Sequence, residues 1–445
     1  MRANKKLGLW PNEVSFTHWS QTGSRVIELT WVLGSKFALM GSNALLMLFL
    51  ANRLELTIYG VLLVTISTQL LVSRILMMGV NVGMVRLSAL EAGSAGSREV
   101  VAAGLNLIFA SSAILVVLLI VTAPLLYFLE IPFWVAGCAV AGAIGTSLVD
   151  YGYSFRLAEH QYPLAAIAQG GTALLRFGLT SLTALVSGAY QFVFIFYHLT
   201  SLLSGLVQAA FIPRANKRGF DSEQIKKLLR YSWWQGQANV IVIFTLYQGT
   251  FLLMLLGQEE ETGIFGLSLT LSLGFFAIYN AYNEYLLARV RTVATHRLTQ
   301  FVKRAYLGSI ALTILCIPVI LVLMVLLPYL LHPELSETAS VFLFLSASMA
   351  LLILQSPLEI ASHYLLLPKL VSFGWAMRAV FIGIVGLFLA PNLGATGAAI
   401  AQLVGSLLAT LVFAVVVSGA VRSRGRTESL KERRHYQLEV SGGEW

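Results

Sequence analysis

The chain has 445 residues, of which 57% are apolar and only 11% are charged, and its mean hydropathy is +0.78. Soluble domains carry roughly 25% charged residues, so this composition excludes an ordinary soluble protein and predicts an integral membrane protein. The formal net charge of +9 is explained by membrane topology and anionic lipid headgroups better than by nucleic-acid binding.

Runs of about 20 apolar residues predict helices that cross a membrane. The sequence contains about twelve such runs, which predict an all-α, polytopic membrane protein with two sets of six helices. The first set covers 29–51, 57–80, 102–128, 133–155, 164–187 and 190–212, and the second covers 230–256, 262–286, 306–330, 338–359, 368–390 and 394–418.

The linkers between these helices alternate in charge. Linkers after the even-numbered helices carry Lys and Arg, whereas those after the odd-numbered helices are short and carry Glu. An excess of Lys and Arg marks cytoplasmic loops, so both termini are expected in the cytoplasm. The predicted organisation is a cytoplasmic segment 1–28, a six-helix lobe 29–212, a basic linker 213–229, a second six-helix lobe 230–418 and a basic cytoplasmic tail 419–445.

The two sets of helices contain a weak internal repeat. Glu55–Gly60 opens the second helix and Glu261–Gly266 opens the eighth, and both read Glu-x-x-Ile-aromatic-Gly. A Gly-Ala pair occurs at Gly188 and again at Gly394, and these two positions are separated by the same number of residues as Glu55 and Glu261. Because each half has an even number of spans, the two halves would be parallel repeats.

The sequence argues against an enzyme. The linkers are too short to form a catalytic domain, and the chain has no Gly-x-x-x-x-Gly-Lys, His-Glu-x-x-His or Gly-x-Ser-x-Gly motif and no clustered Cys/His ligands. We therefore expect neither a cofactor nor a metal, and we expect transport instead of catalysis.

Three degenerate motifs in a fixed order carry a family resemblance. The Glu55–Gly60 turn precedes a helix ending in Gly79–Arg86, Leu228–Trp234 leads into the seventh helix, and Leu393–Ala401 opens the last. With these motifs the chain resembles the O-antigen and polysaccharide flippases of the multidrug/oligosaccharidyl-lipid/polysaccharide (MOP) exporter superfamily. Members of that family often have further helices, and this sequence predicts only about twelve.

The resemblance implies two lobes around a central cavity that opens alternately to each side. The implied cargo is a lipid-linked oligosaccharide, usually on a polyprenyl diphosphate, moved to the outer leaflet of the bacterial inner membrane by a monomer. The resemblance also allows contact with polysaccharide-assembly proteins. One alternative is a multidrug or metabolite exporter of the related family. The other is a polytopic glycan-processing enzyme, which would be expected to have a large outer loop.

Polar residues inside the first set of helices form stripes centred on cations. A charge in a span costs roughly 2.5–3.5 kcal/mol, so such residues usually face a cavity or a partner. We expect these cations, Arg74 and Arg176 above all, to face the cavity and bind the diphosphate. The alternative is that they pair with acids such as Glu28 or Asp150, or reach an interface. Residues seven apart form the stripes: Lys36 with Asn43, Ser67 with Arg74 and Asn81, and Gln169 with Arg176 and Thr183.

The second set of helices carries amides, tyrosines and acids at helical spacing. These side chains suit sugar hydroxyls, and they equally suit hydrogen bonds between helices. Asp150, Glu284 and Glu359 are candidates for binding a coupling proton or sodium ion, with structural ion pairing the alternative. The amides, tyrosines, acids and histidine at this spacing are Gln235, Asn239, Tyr279, Asn280, Asn283, Glu284, Gln355, Glu359 and His363. Arg378 is a fourth predicted cavity cation, beside Lys36, Arg74 and Arg176.

Overall fold

The structure is a computed structural model that describes residues 22–90, 95–128, 132–159, 161–212, 222–290, 298–364 and 368–441. Within these ranges the chain forms helices joined by short turns and contains no strand. The helices are α1 (Thr22–Ala51), α2 (Leu56–Met77), α3 (Val80–Leu90), α4 (Ala95–Val121), α5 (Ala123–Phe128), α6 (Phe133–Ala158), α7 (Tyr162–Val186), α8 (Tyr190–Ala210), α9 (Ser222–Leu255), α10 (Glu259–Val290), α11 (Leu298–Leu330), α12 (Thr338–Tyr364) and α13 (Pro368–Ser441), with a 3-10 turn at Pro333–Leu335.

The described helices match the predicted spans. Ten of them are long and apolar enough to cross a membrane. One of these, α13, contains a non-helical residue at Gly394, so it provides two crossings. Helix α7 is not one of these ten, but its 25 residues are long enough to span a bilayer. The prediction of an all-α protein with about twelve membrane helices is therefore confirmed.

The second predicted span is wrong at its end. The sequence predicted one helix over 57–80, whereas α2 ends at Met77 and α3 begins at Val80. Met78 and Gly79 adopt positive φ angles of 40° and 75°. A Cβ on Gly79 would lie 2.7 Å from the backbone nitrogen of Gly236 on α9, so only glycine permits this close approach. Asn81 therefore lies on α3 and does not continue the stripe of Arg74.

The helices pack as two groups. In the first group, α6 packs against α8 and α2, and α1 packs against α7. In the second group, α12 packs against α10, α11 and α13, and α13 packs against α9. We call α1–α8 the first lobe and α9–α13 the second lobe. The lobes meet where α1, α2 and α3 contact α9 and α10.

Glycines bring the two lobes together at the start of α2 and α10. A Cβ on Gly60 would lie 2.1 Å from the carbonyl oxygen of Glu259, and a Cβ on Gly266 would lie 2.6 Å from Cδ1 of Leu63. Gly60 and Gly266 are the matching glycines of the sequence repeat. Each lies in the α2–α10 interface, as expected for equivalent helices that face each other across a symmetry axis.

The predicted segments outside the lobes are only partly described. Residues 1–21, 213–221 and 442–445 lie outside the described residues. Residues 222–229 of the predicted linker form the first turns of α9, and residues 419–441 of the predicted tail continue α13. The domain boundaries otherwise remain predictions.

Candidate functional site

The first-lobe cluster surrounds Arg176 on α7, whose side chain is buried. Its Nη2 donates to Oδ1 of Asn43 on α1 at 2.7 Å, and its Nη1 donates to Oγ of Ser201 on α8 at 3.4 Å. The guanidinium carbon lies 4.8 Å from the ring centroid of Tyr197, within range of a cation–π interaction. None of these three partners carries a negative charge. The contacts therefore orient the cation without neutralising it.

The ion-pair cluster consists of two ion pairs, one between the lobes and one within the first lobe. Lys36 Nζ lies 2.9 Å from Glu284 Oε1 and joins α1 to α10 across the lobes. Arg74 Nη1 lies 2.9 Å from Asp150 Oδ2 and joins α2 to α6 within the first lobe. The sequence predicted that Arg74 faces the cavity, whereas in the structure it pairs with Asp150, which was the alternative.

The second-lobe cluster surrounds Glu359, a buried carboxylate on α12. It accepts hydrogen bonds from the Tyr279 hydroxyl at 2.5 Å, from Asn283 Nδ2 at 3.0 Å and from Gln355 Nε2 at 2.8 Å. Three donors of this kind offset much of the cost of removing a carboxylate from water. The four-residue spacings noted in the sequence thus bring Tyr279, Asn283 and Gln355 onto one acid.

Arg378 extends this second-lobe cluster and is almost completely buried. Its Nη2 donates to Gln355 Oε1 at 2.7 Å and to Thr410 Oγ1 at 3.2 Å, and its guanidinium lies 4.8 Å from the ring centroid of Trp375. Gln355 therefore bridges the cation to Glu359. Arg378 is held inside the second lobe beside an acid, in contrast to Arg176.

The remaining predicted residues make smaller contacts. Gln235 donates to Asn239 one turn away on α9 at 3.2 Å, and Gln235 is exposed. Gln169 on α7 accepts from Ser35 on α1 at 3.5 Å. Asn81 is partly buried on α3, beyond the turn at Gly79.

The sequence pattern did not indicate a further buried polar group in the first lobe. Nδ1 of the buried His198 lies 2.6 Å from Oε1 of Gln69, and Gln69 Nε2 donates to Thr146 Oγ1 at 2.7 Å. The seven histidines are scattered along the sequence, so their spacing alone does not indicate a site. The rule that polar residues inside spans seek partners, applied to Gln69 and His198, could have identified this group.

An acidic cavity of about 760 Å³ lies where α10 begins and α13 breaks at Gly394. Glu259, Glu260 and Glu337 line it, and Glu261 Oε2 accepts from the backbone nitrogen of Ala395 at 2.7 Å. A carboxylate at that position satisfies a free N–H group at the start of a helical segment. The residues of the three clusters do not line this cavity.

The comparisons with known proteins identify the fold. No family model matches the sequence, and no curated protein matches it. The lipid II flippase MurJ, in an inward closed conformation, matches with a TM-score of 0.67 and 11% identity, over 88% of this chain and 87% of that one. An inward-facing multidrug resistance MATE transporter of the MOP superfamily matches with a TM-score of 0.64 and 14% identity, over 90% and 99%.

A eukaryotic MATE transporter, AtDTX14, matches with a TM-score of 0.63 and 14% identity, over 90% of this chain and 99% of that one. Identities this low establish the fold alone. The predicted resemblance is confirmed at that level: the chain is a multi-pass membrane protein with the two-lobed fold of the MOP transporters.

Proposed function

We propose that this protein is a flippase that moves a lipid-linked oligosaccharide from the cytoplasmic to the outer leaflet of the bacterial inner membrane. The observation that carries the proposal is Arg176, a buried cation whose side-chain partners among the described residues are all neutral. A buried cation that no acid neutralises has a strong attraction for an anion. A polyprenyl diphosphate supplies one.

The geometry of Arg176 suits a diphosphate. A guanidinium presents planar, forked donors that match phosphate oxygens, and it stays charged at any physiological pH. Asn43 and Tyr197 hold the guanidinium from two sides. The Nε atom of Arg176 is buried and has no hydrogen-bond partner in the part of the chain that the structure describes, so one donor of the guanidinium is unused in this conformation.

The membrane orientation follows from the charge alternation. Under this proposal the basic linkers and both termini lie in the cytoplasm. The cargo then enters from the side where glycan carriers are loaded, and the protein works as a monomer among membrane lipids. One structural neighbour is a lipid II flippase, which supports a lipid as the cargo.

Export of a drug or metabolite is the second candidate, because two of the neighbours are MATE transporters. A cationic drug would need an acid free to receive it. The three acids predicted inside the spans are each engaged: Asp150 by Arg74, Glu284 by Lys36, and Glu359 by three donors. This arrangement favours an anionic cargo over a cationic one.

The test is flipping of a fluorescent polyprenyl-diphosphate oligosaccharide in vesicles reconstituted with the purified protein. Arg176→Ala should reduce the rate by at least about tenfold, because one charge-assisted hydrogen bond contributes about 1.5–3 kcal/mol. Arg176→Lys should restore part of it, since the charge survives but the fork is lost.

The matched control is Lys226→Ala, which removes an exposed cation at the start of α9 and should leave flipping unchanged. If a folded Arg176→Ala variant flips at the normal rate, the proposal is wrong. Uptake of a cationic dye by wild-type vesicles that do not flip the lipid would favour the drug exporter.

A further inference from the structure

Lys36 and Glu284 form an ion pair that differs from the other ion pair in one respect. It has the same nitrogen-to-oxygen distance, 2.9 Å, as the Arg74–Asp150 pair. The Arg74–Asp150 pair lies within the first lobe, whereas Lys36–Glu284 connects the first lobe to the second. A rotation that opens the two lobes at the end of the bundle where this pair lies must separate Lys36 from Glu284 and can leave Arg74 with Asp150.

The pair lies at one end of the bundle. Gly60 contacts Glu259, so the end of α1 and the start of α10 lie at the same, acidic end. Lys36 lies near the other end of the apolar part of α1, Gly34–Ala51, and Glu284 lies near the other end of the apolar part of α10, Glu259–Leu287. Both side chains are therefore near the end that carries the basic linkers, which we call the basic end.

The pair is also accessible. The side chain of Glu284 is 66% exposed and that of Lys36 is 29% exposed, against 19% for Asp150 and 27% for Arg74. The protein covers little of this pair, and a partly exposed ion pair adds little to the stability of the fold. A weak contact between two bodies suits a connection that must be broken in every transport cycle.

A stronger anion would compete effectively for Lys36. A diphosphate carries more negative charge than a single carboxylate and offers several acceptor oxygens to the ammonium group. When Lys36 turns to such an anion, Glu284 loses its partner and the connection between α1 and α10 is lost. The cargo itself would then release the two lobes from each other.

We propose that the Lys36–Glu284 pair is a latch between the lobes at the basic end, and that a phosphate-bearing head group opens it by replacing Glu284 at Lys36. This inference rests on the proposed function, because it assigns a role to the anionic part of the same cargo. It makes the release of the lobes selective for phosphate chemistry. An uncharged lipid of the same chain length leaves the latch closed.

The experiment measures the separation of the lobes at the basic end. Spin labels on Arg98→Cys and Arg304→Cys report it, because both residues are exposed and lie near the starts of α4 and α11, in different lobes. The native cysteines, Cys138 and Cys316, are first replaced by serine. The distance is then measured in the full chain, in vesicles, by pulsed electron spin resonance.

In the otherwise unchanged protein, polyprenyl diphosphate should shift the distance distribution to longer values and polyprenol should not. Inorganic pyrophosphate is the third ligand. A shift with pyrophosphate at similar concentrations assigns the effect to the phosphate group, and a shift with the lipid alone assigns it to the membrane-embedded carrier. No shift with either phosphate compound overturns the latch.

Two variants separate the latch from simple cargo binding. Glu284→Gln and Lys36→Gln should both lengthen the distance without ligand. Their affinities for polyprenyl diphosphate should change in opposite directions by about tenfold, tighter for Glu284→Gln, which removes the competitor, and weaker for Lys36→Gln. Asp150→Asn is the matched control and should leave the ligand-free distance unchanged.

An unchanged ligand-free distance in both Gln variants overturns the latch, even when the wild-type protein flips the lipid normally. Failure of the wild-type protein to flip any polyprenyl-diphosphate glycan, with the Gln variants still opening, overturns the proposed function instead. The two failures are therefore distinguishable.

Discussion

Each lobe buries an arginine, but the two lobes treat the charge differently. Arg378 in the second lobe shares Gln355 with a buried acid, Glu359, so the charges balance within the cluster. Arg176 in the first lobe contacts an amide, a hydroxyl and an aromatic ring, and these leave its charge unbalanced. A balanced network serves packing, whereas an unbalanced one is suited to a charged ligand. The comparison predicts opposite responses to substitution.

The largest effect is expected for Glu359→Ala. The substitution leaves Arg378 buried without a balancing charge and removes the acceptor of three donors. Leaving a buried charge uncompensated in this way costs about 3–5 kcal/mol of the free energy of unfolding. Thermal unfolding in detergent, followed by loss of monomer on size exclusion, measures it.

The double variant Glu359→Leu/Arg378→Met provides the control, because removing both charges is far less costly than removing one. If Glu359→Ala unfolds at the wild-type temperature, the second-lobe cluster is not a charge-balanced network.

A smaller effect is expected for Glu359→Gln, which keeps the shape of the side chain. One acceptor oxygen becomes an NH₂ group facing donors, so a cost of about 1–3 kcal/mol is expected. The variant also tests coupling. If Glu359 binds a coupling proton or sodium ion, an imposed gradient should no longer stimulate flipping in vesicles.

Asp150→Asn and Glu284→Gln complete that coupling test, since these are the other two acids predicted inside the spans. Unchanged gradient dependence in all three variants would leave a facilitated flippase, driven by removal of glycan on the outer side.

The smallest change in stability is expected for Asn43→Asp, with the opposite sign. The side chains are nearly identical in shape, and Asp would place a carboxylate oxygen where Asn43 Oδ1 now accepts from Arg176 at 2.7 Å. The first lobe then acquires the balanced arrangement of the second. We expect unfolding at an equal or higher temperature together with loss of flipping. A variant that flips normally would show that flipping does not require the charge of Arg176 to be unbalanced.

Hydropathy predicted the helices because each membrane crossing is a local property of about 20 residues. The break at Met78 and Gly79 could not be predicted in the same way. It depends on a backbone contact with Gly236, more than 150 residues further along the chain. Hydropathy alone therefore predicted that the second span continues to residue 80.

The site residues show the same limit. Four-residue spacing correctly grouped Tyr279 with Asn283 and Gln355 with Glu359, because neighbours on a helix face are set locally. The partner of Lys36 lies 248 residues away, on a helix of the other lobe. The sequence placed Lys36 and Glu284 in different functional classes, and only the fold brings them together.

The polarity of α7 has a consequence for how the protein is made. Within the described residues, α7 is 25 residues long, but it is not among the helices whose composition alone is apolar enough to cross a membrane. A helix with Arg176 at its centre enters the bilayer from the translocon reluctantly. Its partners arrive at different times: Asn43 is synthesised earlier and Ser201 later. Stable insertion of α7 should therefore wait for α8, so that assembly of the cation site and integration of the helix that carries it are one event in biogenesis.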